Sequence, residues 1–212
     1  LKNNGKIYYV PGVGMDLKQF DIPEQIRETK RNEIGLKKTD IALISMGDLI
    51  DRKNYPLAIE AISKLNNDSV HYFICGNGPE EENLRQLSIT LGIENQVHFL
   101  GFRSDIKELL KAADIFVFTS KQEGLARSLM EAMASKLPCV VSNIRGNTEL
   151  IHDNVNGFLC SNLDEYVKSI RIIIKSPKIA EIFKEKSYEH LKNFSIEKVI
   201  DYLFDIYYKE FN

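Results

Sequence analysis

Two hydrophobic periods alternate along this chain. Short runs of consecutive apolar and β-branched residues stand at positions 7–10, 41–46, 70–75, 97–100, 115–119, 139–142 and 158–160, and each ends in a turn signal. Between the runs, apolar residues recur at helical spacing: Leu57, Ala58, Ala61, Ile62 and Leu65; Ile106, Leu109, Leu110 and Ala113; Leu129, Ala132 and Met133. Alternation of this kind predicts βα units on a parallel sheet covered by helices, an α/β domain. After Cys160 the strand pattern stops. Helical patterns follow at 163–175, 179–191 and 196–208, broken by Pro177 and by a turn at 193–195.

Composition narrows the class. A chain of 212 residues with 43% hydrophobic and 27% charged residues has material for a sizeable core and no disordered or fibrous bias. Its 28 Lys and Arg against 30 Asp and Glu leave a net charge of -2, which removes the general electrostatic case for nucleic acid or an anionic membrane. Cys75, Cys139 and Cys160 are widely spaced within or beside apolar runs, unlike a disulfide framework or a zinc ligand set, and read as buried, reduced, cytosolic thiols. No apolar stretch approaches the roughly 20 residues of a membrane-spanning helix. The start, Leu1-Lys2-Asn3-Asn4-Gly5, carries neither an initiator Met nor a signal-peptide core, so the chain reads as a piece of a longer protein.

In open parallel sheets the ligand lies beyond the carboxyl ends of the strands, so the post-strand loops are where chemistry is sought. They read Gly47-Asp48-Leu49-Ile50-Asp51-Arg52-Lys53-Asn54, Gly76-Asn77-Gly78-Pro79, Gly101-Phe102-Arg103-Ser104, Ser120-Lys121-Gln122-Glu123-Gly124 and Asn143-Ile144-Arg145-Gly146-Asn147. Glu123-Gly124-Leu125-Ala126 precedes a helix whose unpaired first-turn N–H groups suit a phosphate. Ser128 and Glu131 also spell the S-x-x-E capping box, which would place Glu131 in the first turn as a plain cap; both readings stand at this point. Lys53 could reach a phosphate from the side or be a solvated charge. Gly76-Asn77-Gly78 has Glu81 where a dinucleotide fingerprint needs a third glycine, and reads as a tight turn. His71 and His98 read as core or edge residues, and Met130 and Met133 as helix packing. The chain has no G-x-S-x-G, Walker loop, H-E-x-x-H or C-x-x-C.

Taken in order, these segments resemble the retaining glycosyltransferases of family 4, the group 1 glycosyltransferases, over nearly the whole chain, and specifically their carboxy-terminal donor domain. The E-x7-E signature is Glu123 and Glu131, followed by Ala132-Met133-Ala134-Ser135 and Leu137-Pro138. Around it stand Val10-Pro11-Gly12-Val13-Gly14-Met15-Asp16, similar to the family's interdomain linker, the Lys53-Asn54 loop, Gly76-Asn77-Gly78-Pro79, Leu100-Gly101-Phe102 and the Gly146, Glu149 and Asn156-Gly157 tail. Ile144-Arg145-Gly146-Asn147 with Leu150-Ile151 resembles the branch that builds bacterial capsule and exopolysaccharide.

The resemblance implies the carboxy-terminal, Rossmann-like half of a GT-B fold: linker and first strand over 1–20, a nucleotide-sugar-binding domain with terminal helices over 21–212, and an acceptor domain outside this sequence. It implies catalytic roles for Glu123 and Lys53, and donor binding by Gly47, Asp48, Arg52, Lys53, Gly101, Phe102, Arg103, Glu123, Gly124, Leu125, Ala126 and Glu131, with Glu131 on the ribose and Lys53 on the diphosphate. The implied substrate is a nucleotide sugar, UDP favoured over GDP, with no cofactor and no metal. The acceptor would be a glycan or a lipid-linked sugar, met through the other domain. The expected location is the cytoplasm, with the inner face of the membrane open to the full-length protein. Three positions depart from the pattern: Asp48 stands where many relatives have Arg, Arg145 where many have Gly, and Ala126 where Gly or Pro is usual. A GT-B-like epimerase or phosphorylase, and a nucleotide-binding module without turnover, are the competing functions.

Overall fold

A computed structural model describes residues 7, 8, 10, 12 and 14–211. Its elements, in chain order, are α1 (Glu24–Glu33), β1 (Ile41–Met46), α2 (Tyr55–Leu65), β2 (Val70–Cys75), α3 (Glu81–Thr90), β3 (Val97–Gly101), α4 (Ile106–Ala112), β4 (Ile115–Phe118), α5 (Arg127–Ala134), β5 (Cys139–Ser142), α6 (Arg145–Thr148), β6 (Phe158–Cys160), α7 (Leu163–Lys175), α8 (Pro177–Leu191) and α9 (Ile196–Phe211). Short 3-10 turns add Leu17–Phe20, Asp51–Lys53 and Lys192–Phe194. The strands form one six-stranded sheet in the order β3-β2-β1-β4-β5-β6, and every pairing is parallel.

Both faces of the sheet are covered, which is why its strands read as nearly continuous apolar runs in the sequence. Ala42, Ile44, Met46, Phe73, Phe116, Phe118 and Val141 enter one core with Leu109 and Leu110 of α4 and Leu129 and Met133 of α5. Leu43, Tyr72, Ile74, Ile115, Val117 and Val140 enter the other with Ile59 and Ile62 of α2 and Tyr166 and Ile170 of α7. The strict alternation of side chains along a strand assigns neighbours to opposite cores.

Helix α1 carries almost no apolar face. It is held against α4 instead by two guanidinium groups: Arg27 donates to the Lys111 and Ala113 carbonyls at 2.7 Å and to Asp114, and Arg31 donates to the Ala112 carbonyl at 2.9 Å, to Asp114 at 3.0 Å and to the Asp40 carbonyl. These pairs satisfy the open carbonyls at the carboxyl end of α4, a use of cations that a helix terminus favours.

The strand expected at 7–10 is not found. Ile7, Tyr8 and Val10 have no strand conformation, and Tyr9 lies outside the described residues, as do Pro11 and Val13 of the linker motif. A strand exists only through a paired neighbour, and Ile7 is 96% exposed. Met15 bonds instead to the segment that leads into α9. Met15 donates its N–H to the Phe194 carbonyl at 2.9 Å and accepts the Ile196 N–H at 3.0 Å.

Candidate functional site

Strand order reverses between β1 and β4, and in open α/β sheets ligands bind outside the carboxyl ends of the strands at such a switch point. Lys53 arrives from the loop after β1 and Glu123 from the loop after β4, and they meet there: Lys53 Nζ lies 2.8 Å from Glu123 Oε1, with both side chains close to nine-tenths buried. Arg52 Nη1 approaches the same oxygen at 3.1 Å and donates to the Gln122 carbonyl at 2.7 Å, and Ser120 Oγ donates to it at 2.7 Å.

Local structure explains how Lys53 gets there. Gly47 has φ +145°, and a Cβ on it would stand 3.2 Å from Lys53 Cε, so the lysine stem lies across a bare backbone. The Asp51–Lys53 turn ends in Asn54 with left-handed φ 53°, which redirects the chain into α2. Tyr55 Oη donates to the Gly47 carbonyl at 2.9 Å, and Lys53 Nζ lies 5.1 Å from the Phe118 ring centroid. Gly76-Asn77-Gly78 does more than turn: Leu49 and Asn77 are bonded N–H to carbonyl at 2.9 Å, and Glu80 donates to the Leu49 carbonyl at 3.0 Å, so the loops after β1 and β2 brace each other.

Burial opposes the charge on Glu123, but hydrogen bonds from Lys53 and Ser120 and the fields of Lys53 and Arg52 outweigh it and hold the carboxyl below the ordinary glutamate range. The carboxylate is therefore ionised near neutral pH, with two cations collected around it.

The helix opening beside this cluster is α5. Ala126 is its N-cap, extended at φ -74° and ψ 106°, and no side chain caps the first turn. The capping box is therefore not formed. Ser128 is already inside the helix and Glu131 lies beyond the first turn, because the helix begins one residue before Ser128. Glu131 accepts from Arg127 Nε at 3.0 Å, one turn earlier on the exposed side. Leu125 is partly buried, and a Cβ on Gly12 would stand 3.0 Å from its Cδ2, so the amino-terminal segment passes against this loop.

Of the remaining predicted site residues, Gly101 (φ +65°) ends β3 beside Asn77, and Phe102 is 81% exposed. Arg103 is committed to protein: it forms a two-pronged bond to Asp105 at 2.7 and 2.6 Å and reaches Glu33 at 3.1 Å, while Lys30 joins Asp105 at 2.7 Å. The Arg103 hydrogen bonds hold the Asp105 carboxyl well below the usual aspartate range, burial opposing and Lys30 assisting. Asp48 is exposed, and among the described residues no hydrogen bond or ion pair reaches its carboxylate; Arg52 and Lys53 pair with Glu123 instead. The Arg145 side chain is likewise exposed at the first position of α6.

Sequence reading missed Ser120, Thr119, Asp105, Lys30 and Glu33. Thr119 Oγ1 bonds the Lys53 and Asn54 carbonyls at 3.1 and 2.9 Å. The available signal was the pair of hydroxyl residues directly after an apolar run, where backbone groups leave the ladder and need new partners. Burial raises the three thiols, Cys75 up to about 12 and Cys160 up to about 11, as expected of unreactive core cysteines. Among the described residues no group of three His, Cys, Asp or Glu could hold a metal ion, and no helix is long and apolar enough to cross a membrane.

The family model for glycosyl transferases group 1 matches residues 26–190, and the chain belongs to that family. It is 31% identical over 211 residues to the Escherichia coli UDP-Gal:alpha-D-GlcNAc-diphosphoundecaprenol alpha-1,3-galactosyltransferase, covering 95% of this chain and 54% of that protein. Its fold is also that of Anabaena HepE in complex with UDP (TM-score 0.87, 24% identity, 92% of this chain and 56% of HepE). The C-terminal domain of the Francisella tularensis group 1 protein LpcC is similar over 97% of its own length and 85% of this chain, at TM-score 0.73 and 21% identity. The architecture is thus the parallel-sheet half of a GT-B glycosyltransferase, and the chain spans about half the length of the E. coli relative and of HepE.

Proposed function

We propose that this chain is the donor half of a retaining glycosyltransferase of family 4, binding a nucleoside diphosphate sugar, UDP in preference to GDP, for transfer to a glycan or lipid-linked acceptor in bacterial capsule or exopolysaccharide synthesis. The observation that carries the reading is the Lys53–Glu123 pair joining the loops after β1 and β4, beside the open amino end of α5. Charge develops on the leaving diphosphate during transfer, and a lysine with a helix N-terminus stabilises such charge without a metal. Glu123 and the N–H groups of Gly124, Leu125 and Ala126 face the donor sugar and phosphates in this reading, Glu131 takes the ribose hydroxyls, and the Gly101–Arg103 backbone meets the base. The E. coli relative's UDP-galactose donor and the UDP in HepE lend support.

Residues 1–20 act as linker and 21–212 as donor domain, with the acceptor domain supplied by the remaining length seen in relatives. Helix α9 favours this arrangement: Ile196, Ile200, Leu203 and Phe204 recur at helical spacing and are 39 to 69% exposed, an apolar stripe that a further domain would cover. The full-length protein then works in the cytoplasm or at the inner membrane face.

Calorimetry with UDP, GDP and UDP-sugars, with chelator and with magnesium, tests the reading. Saturable UDP binding that is indifferent to metal is expected; no heat with any nucleoside diphosphate at millimolar concentration rejects it. In the full-length protein, sugar release without an acceptor would favour an epimerase or phosphorylase, and binding without turnover a nucleotide-binding module.

A further inference from the structure

β4 ends at Phe118, and Thr119 and Ser120 leave the sheet while remaining buried, before Lys121 and Gln122 emerge at the surface. The carbonyls of the buried pair must find donors other than strand neighbours. A chain of side chains supplies them. Asn147 Nδ2 donates to Ser142 Oγ at 3.0 Å and to the Ser142 carbonyl at 2.9 Å. Ser142 Oγ donates to the Ser120 carbonyl at 2.6 Å. Ser120 Oγ stands 2.7 Å from Glu123 Oε1, 3.1 Å from the Arg52 carbonyl and 3.3 Å from that of Gln122.

Proton bookkeeping gives this chain a direction. A hydroxyl has one proton to donate and an amide nitrogen has two, with no acceptor capacity on that nitrogen. Asn147 can therefore only donate to Ser142, which commits the Ser142 proton to the Ser120 carbonyl. The Ser120 proton goes to its shortest and only charged acceptor, Glu123. All three residues are buried. Asn147 Oδ1 has no partner among the described residues, so the amide is an expensive choice if its only task is to fill space.

Resting on the donor-site reading above, we propose that Asn147, Ser142 and Ser120 are positioning residues that hold the Glu123 carboxylate in register with Lys53. Asn147 and Ser142 do this without touching it. They fix the Ser120 backbone, and with it the hydroxyl that pins Oε1 between Lys53 and Arg52. The lowered Glu123 titration fits a carboxylate held by a preset donor.

Titration of the glutamate carboxyl carbons by NMR in the ligand-free chain tests the relay without any nucleotide. Glu123 is expected below the ordinary glutamate range in wild type, and higher in Ser120→Ala, Ser142→Ala and Asn147→Asp; Ser142→Thr, which keeps the hydroxyl, should restore the wild-type value. Asn147→Asp removes the donor at nearly constant shape, and if it does not fold, Ser142→Ala decides alone. The proposal is overturned if Glu123 titrates as in wild type in folded Ser142→Ala, even where Ser120→Ala moves it. A second arm measures affinity: Ser142→Ala should lose about threefold to tenfold for a UDP-sugar and nothing for uridine, as expected when one hydrogen bond's support is withdrawn. If wild type binds no UDP, the donor reading fails, while the titration still decides the relay.

Discussion

Gly146 lies so close to Gly124 that a methyl group on it would stand 1.7 Å from the Gly124 carbonyl oxygen. The first turn of α6 is thus pressed directly against the loop that carries Glu123 into α5. Gly146→Ala must displace one of these backbones, since neither contacting atom is the tip of a flexible side chain. We expect a loss of about 1–3 kcal/mol in urea unfolding, the usual cost of overpacking, and weaker nucleotide binding per folded molecule. Unchanged stability and affinity would show that the loop yields freely.

Lys53→Ala should weaken UDP by at least about tenfold while leaving uridine nearly unaffected, because the lost cation serves the phosphates and a tenfold change corresponds to ~1.4 kcal/mol. It also strips Glu123 of its nearest cation, leaving Arg52 and Ser120. The Glu123 carboxyl should then titrate higher, since burial of the charge is less well compensated. Calorimetry with both ligands checks the first point; equal losses for UDP and uridine contradict it.

Asp48→Ala should strengthen binding of UDP, most at low salt. Its carboxylate is exposed in the loop after β1 and has no cationic partner among the described residues, so it repels an approaching diphosphate across solvent. Titrations at two ionic strengths measure the effect. Weaker binding of the UDP-sugar in this variant would instead place Asp48 on a sugar hydroxyl.

Glu131→Gln should leave the melting temperature almost unchanged and lower nucleotide affinity. The residue makes no cap, and its link to Arg127, 87% exposed, is a helical i,i+4 pair worth within about 0.5 kcal/mol. A carboxylate accepting from two ribose hydroxyls loses more on conversion to an amide. Comparison of UDP with its 2′,3′-dideoxy analogue locates the effect: if Glu131 serves the ribose, the variant discriminates less between them.

Asp105→Asn should cost about 1.5–3 kcal/mol at pH 7, the range for hydrogen bonds to charged groups, and make the protein less sensitive to acid. Arg103 and Lys30 lower the folded-state pKa of Asp105 beneath its ordinary 3.8. The unfolded chain therefore takes up that proton first, so the stability is complete above the unfolded pKa and is lost as pH falls through the folded one. Urea unfolding at pH 7 and at pH 3 should show the gap between wild type and variant narrowing toward acid.

Local pattern was enough for most of the scaffold. The strands at Ile41–Met46, Val70–Cys75, Cys139–Ser142 and Phe158–Cys160 and the helix at Leu163–Lys175 stand where the sequence places them. Each buries apolar side chains at the period of its own backbone, and that period is written in neighbouring residues. Helices α1 and α3 escaped for the converse reason. The cation that α1 buries, Arg31, finds its partners at Asp40, Ala112 and Asp114, and α3 buries little beyond Leu84 and Ser88. The strand at 7–10 was expected from a short apolar run alone, and its described residues, Ile7, Tyr8 and Val10, take no strand conformation.

Residue types and loop positions therefore determined which groups were available at the strand ends: Lys53, Glu123, Glu131 and the glycines. Which of them meet was decided by the order of strands. β1 sits beside β4, 72 residues away along the hydrogen bond between Ala42 and Asp114, and this adjacency alone brings Lys53 and Arg52 onto Glu123 and leaves Asp48 exposed. Helix start is likewise a tertiary outcome. The loop enters α5 at Ala126, two residues too early for Ser128 to cap it, and frees Glu131 from the role its spacing suggested. Periodicity is a property of adjacent residues, whereas strand order and helix entry depend on how distant segments bury one another, and no local pattern encodes that choice.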